Sequence, residues 1–114
     1  MANLHRGEIA AELGGRTYTL CLTLGALAEL EAAFGAGDLV ALAERFETAR
    51  LSANDILKII GCGMRGGGNV LSNSEIAALP AVEGLKGYAD IAARLLAATF
   101  GTRDEEGADP VSPP

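Results

Sequence analysis

The sequence predicts an α+β domain: an N-terminal β-hairpin packed on a bundle of four to five short helices, followed by a disordered C-terminal tail. Three observations carry this. Residues 7–23 alternate apolar and polar side chains around a Gly-Gly pair, the apolar period then lengthens to that of a helix, and Ser, Thr or Asp caps introduce the later apolar runs. With 114 residues, 49% of them hydrophobic, the chain suffices for one domain over residues 1–101. At this length a domain buries roughly two-thirds of the surface that its unfolded chain exposes, without help from a metal or a disulfide.

Placing Gly14 and Gly15 at the turn of "GEIAAELGGRTYTLCLT" (residues 7–23) sets the hairpin register. Leu13 then faces Arg16, Ala11 faces Tyr18, Ile9 faces Leu20 and Gly7 faces Leu22, which gathers the large apolar side chains on one face. The other face pairs Glu12 with Thr17, Ala10 with Thr19 and Glu8 with Cys21. A hairpin with one apolar and one largely polar face lies on a helical layer.

Thr23 caps a first helix with a Leu27, Leu30, Phe34 stripe, which Gly35 and Gly37 stop. Asp38 caps a second, ending near Thr48, with Leu39, Leu42 and Phe46 inward and Glu44, Arg45 and Glu47 solvated. Capping boxes at Ser52/Asp55 and Ser72/Glu75 open two more. The first carries an Ile56, Ile59, Ile60, Met64 stripe, and the second carries Ile76 and Leu79. Pro80 closes the short fourth helix or opens the next. The last helix, in "EGLKGYADIAARLLAATF", buries Leu85, Tyr88, Ile91, Ala92, Leu95, Leu96 and Thr99, and sets Lys86, Asp90 and Arg94 four residues apart on its wet face. The tail "TRDEEGADPVSPP" (102–114) is acidic and Pro-rich with almost nothing to bury, so disorder is expected there.

The inventory excludes several functions. A net charge of −6, 4% aromatic residues and no Trp argue against nucleic-acid binding. No stretch of about 18 apolar residues and no signal peptide occur, so a bacterial cytoplasmic location is expected and membrane partners are not. His5 is the only histidine and lies near the N-terminus, which leaves no catalytic triad and no multi-His metal site. Cys21 and Cys62 form no C-x-x-C, and buried or half-buried reduced thiols are the expected state. The exposed glutamates sit on solvated helix faces, and the segment resembling a second helix of a helix-turn-helix carries no basic residue. No catalytic, cofactor-binding or metal-binding residue is assigned.

"GCGMRGGGN" (61–69) contains the G-x-G-x-x-G spacing of a dinucleotide-binding turn. That turn must leave a strand and open a helix, so that the pyrophosphate meets the helix N-terminus. Here the glycines end a capped helix, where the dipole opposes a phosphate. The alternative is close helix packing at Gly61 and Gly63 and termination at "GGGN". Arg65 complements the helix C-terminus, and the outward surface around Met64 and Arg65 is the candidate partner-binding site. The outer strand of the hairpin is a second candidate edge.

"HRGEIAAELGGRTYTLCLTLGALAELEAAFG", "LSANDILKIIGCGMRGGG" and "LLAATFG", within residues 3–101, resemble the small tail-assembly protein of alphaproteobacterial gene transfer agents and siphophage-type prophages. The resemblance implies a non-enzymatic phage tail-assembly chaperone, without cofactor, whose partners are the tape-measure protein and tail-tube subunits. It also implies an alternative, a structural tail-tube subunit that forms a homo-oligomer and stays in the particle. The segment after Thr102 lies outside the resemblance.

Overall fold

The computed structural model describes residues 2–3, 6–48 and 50–101. The chain runs β1 (Glu8–Leu13), β2 (Arg16–Cys21), α1 (Leu24–Phe34), α2 (Leu39–Thr48), α3 (Ala53–Gly66), α4 (Asn73–Ala77) and α5 (Gly84–Phe100). The expected hairpin on a helical layer is present. His5 and the segment 102–114, for which disorder was expected, lie outside the described residues.

β1 and β2 pair antiparallel in the register that the Gly-Gly turn imposes, from Leu13↔Arg16 to Glu8↔Cys21. Gly14 and Gly15 both take positive φ, 62° and 80°, the conformation that matches the right-handed twist of a two-residue hairpin. Ile9, Ala11, Leu13, Leu20 and Leu22 are buried on one face and join Leu30, Ile59, Ile60, Met64, Ala92 and Leu95 in a single core.

α3 is the central element and packs on β2, α1, α4 and α5. Its start is fixed by the capping box: the Asp55 amide donates to Ser52 Oγ (3.1 Å) and the Ser52 amide donates to Asp55 Oδ2 (3.0 Å). The Ser52 amide holds the Asp55 carboxyl below its ordinary range against the opposing effect of burial, and the Ser52 side chain and Arg45 add to the lowering. At its other end α3 lies directly on strand backbone. A Cβ on Gly66 would overlap the Cys21 carbonyl and one on Gly67 the Thr19 carbonyl, so the helix approaches β2 at a distance that no side chain allows. "GGGN" therefore does more than terminate: Gly66 is still helical, and Asn69 Nδ2 donates to Thr19 O (2.8 Å), fastening the turn to β2.

Five expectations change. Leu39, expected inward, is 38% exposed at the first position of α2. Leu85 is 70% exposed, because α5 begins only at Gly84 and its first turn projects past the core, whose α5 stripe starts with half-buried Tyr88 and buried Ile91. Pro80 neither closes α4, which ends at Ala77, nor opens α5: its carbonyl accepts from the Gly14 amide (2.8 Å) while Ala81 bridges to Leu13. Arg45 is half-buried rather than solvated, 3.6 Å from Asp55 and stacked over Phe34. Lys86 pairs with Glu83 (3.5 Å), leaving Asp90 to Arg94 (3.3 Å).

Gly67→Ala is expected to cost about 1–3 kcal/mol through overpacking against the Thr19 carbonyl, read as a lower urea midpoint. Gly37→Ala, where an added Cβ meets nothing within 4 Å, should leave stability unchanged or raised by up to about 1 kcal/mol. The lowered Asp55 carboxyl gives stability that is present above its unfolded pKa of about 3.9 and lost as pH falls toward its native value. The wild-type protein should therefore exceed Asp55→Asn by about 1 kcal/mol at pH 7, with the gap closing below pH about 4 in urea titrations.

Candidate docking surface

Met64 does not present an outward surface. It lies one and two turns beyond Ile60 and Ile56 on the same α3 stripe, and that stripe faces the core, so its side chain is fully buried. Arg65, next to it, does leave the core, but its guanidinium is already engaged. Nη2 and Nε donate to Glu29 Oε2 at 2.5 and 3.1 Å, and Nη1 donates to Leu71 O and Asn73 Oδ1, both at 3.0 Å. One side chain thus joins α1, α3, the connector and α4. Hydrogen bonding to Glu29 raises the guanidinium pKa further, so it stays charged. Gly61 completes the arrangement, since a Cβ there would overlap the Asn73 side chain that reaches Arg65.

The thiols offer no nucleophile at neutral pH. Cys21 and Cys62 are free and buried, burial pushes both thiols up, and Cys62, which also feels the Glu29 carboxylate, reaches about 11. Among the described residues no group of three or more His, Cys, Asp or Glu is placed to hold a metal ion. No helix among them is long and apolar enough to cross a membrane.

The hairpin edges, the other candidate docking elements, are engaged by the chain itself. On β1 the Ala10 carbonyl accepts from Arg94 Nη1 (3.1 Å), and the Glu8 and Gly14 amides donate to Asn3 O (3.0 Å) and Pro80 O (2.8 Å). On β2 the Thr19 carbonyl is taken by Asn69. Such contacts guard an edge against pairing with another chain.

Apolar surface is left elsewhere. A groove of about 210 Å³ runs between α3, α4 and α5, lined by Ile56, Leu57, Ile60, Ile76, Leu85 and Tyr88. Leu85, on the wall of this groove, is 70% exposed. Sequence periodicity hid this side chain, because Leu85 falls on the apolar stripe of α5 and so counts as core, whereas the first turn of the helix projects past the core.

The chain's kinship lies in the whole domain. The sequence model of a family described as phage tail tube protein, GTA-gp10, matches residues 6–102. The chain belongs to that family. No curated protein and no solved structure matches. The match to the GTA-gp10 family spans every element from β1 to α5 and places the chain among gene transfer agent and phage tail proteins, which work in contact with other tail components.

Within the GTA-gp10 domain the Arg65 junction is structural. The pair with Glu29 is part-exposed and worth little alone, but Leu71 O and Asn73 Oδ1 lose a charged donor when the guanidinium goes. Arg65→Lys, which supplies a point charge without the fork, is expected to cost about 1–2 kcal/mol, and Arg65→Ala about 2–3 kcal/mol, by urea denaturation.

Proposed function

We propose that this protein is a non-enzymatic assembly factor for gene transfer agent or phage tails, acting as a chaperone for the tape-measure protein and tail-tube subunits. The observation that carries this reading is the hairpin. A tube subunit that polymerises through its sheet needs strands with open edges, whereas the described sheet has two strands, with Asn3, Arg94 and Pro80 on one edge and Asn69 on the other. The groove between α3, α4 and α5 with exposed Leu85 on its wall supports the same reading, because a chaperone needs exposed apolar surface for a transient partner. An acidic, site-poor domain that works in the bacterial cytoplasm during assembly is consistent with both.

The second reading, a subunit of the finished tube, is favoured by the family description itself. It requires self-association into rings. Quantitative mass spectrometry of purified particles, with light scattering of the isolated protein, separates the two. The chaperone reading expects the protein to be absent from finished particles or far below the tube subunit in amount, to form no rings, and to capture the tape-measure protein in a pull-down. Stoichiometric presence in particles, or ring formation alone, would overturn it.

A further inference from the structure

We propose that α2 is a lid, hinged at Gly35–Gly37, that opens as a unit and uncovers an apolar trough on α3 and α5 while the rest of the domain stays folded. Among the described elements its main interface is with α1, the helix on the other side of the hinge. It does not seat on α5. A groove of about 750 Å³ separates the two, with Ile56, Leu96 and Phe100 among its walls and Ala43 and Ala93 on opposite sides.

What holds α2 down is short. Leu42 is its one fully buried side chain. Phe46 packs edge-on against Phe34 with ring centres 5.2 Å apart and reaches Phe100 at 6.5 Å. Arg45 makes the single ion pair from α2 to α3, to Asp55 at 3.6 Å. The opposite face is open to solvent, with Val40 67% exposed and Glu44 and Glu47 also exposed, so burial on that side adds little to the hold on α2.

The hinge is built for rotation. Gly35 ends α1 in the left-handed conformation at φ 68°, and Gly37 touches nothing that a Cβ would meet. Local opening draws on segments with few buried apolar contacts, and α2, ten residues long with Leu42 as its buried side chain, is such a segment. The device is independent of whether the protein is a chaperone or a tube subunit, since it concerns only how this chain opens.

Native-state hydrogen exchange over low urea concentrations tests it on the full chain. α2 amides are expected to exchange as one group, about thirtyfold or more faster than those of α3 and α5 and with a weaker urea dependence. A bis-maleimide tether between Ala43→Cys and Ala93→Cys should slow α2 to within about threefold of α3; the native thiols are buried, and the wild-type protein treated with the same reagent is the control. Arg45→Met, which keeps the apolar stem over Phe34 and removes the ion pair, should speed α2 exchange about three- to tenfold. Protection of α2 equal to that of α3 in the untethered protein, or α2 exchange unmoved by both tether and variant, would overturn the lid.

Discussion

The contact on which the rest of this domain depends is the approach of the C-terminal half of α3 to the backbone of β2. Gly63 leaves room for Leu95 and Leu20, and Gly66 and Gly67 bring helix backbone against the Cys21 and Thr19 carbonyls. With a side chain at any of these positions the helix would stand away from the sheet, the space would have to be refilled, and the α5 residues that pack behind α3 would lose their seat. The rest is arranged around that contact: Asn69 fastens the turn that follows, Arg65 ties it to α1 and α4, and α5 closes over α3 to reach β1.

The glycine-rich run that resembles a nucleotide cradle is therefore the packing surface of the fold. Each glycine has a separate neighbour: Asn73 for Gly61, Leu95 and Leu20 for Gly63, and two successive strand carbonyls for Gly66 and Gly67. A chemical motif would instead gather its groups toward one vacant volume. This agrees with a family match that spans the domain as a whole, from residue 6 to residue 102.

Local physics made much of the fold legible from sequence. The hairpin register follows from two glycines and side-chain alternation, and three helix starts follow from Thr23, Ser52 and Ser72, each of which caps as its sequence suggests. What escaped was long-range. Met64 was assigned both a core stripe and an outward surface, and only the packing of α3 decides for the core. Leu85 obeys helical periodicity yet lies in a turn of α5 that outruns its neighbours, and Arg94 bonds a carbonyl 84 residues away in sequence, a partner no local pattern announces.

The guarded hairpin has a consequence for the order of events in the making of the chain. The strands precede the helices in the order of this domain, whereas three of their edge partners, Asn69, Pro80 and Arg94, come well after them in the chain. A nascent hairpin therefore leaves the ribosome with Asn3 as its one early edge partner among these, and it gains the others only as the connectors after α3 and α4 and then α5 follow. In that interval the unguarded strand edges are open to pairing with a neighbour, the hazard that the finished contacts remove.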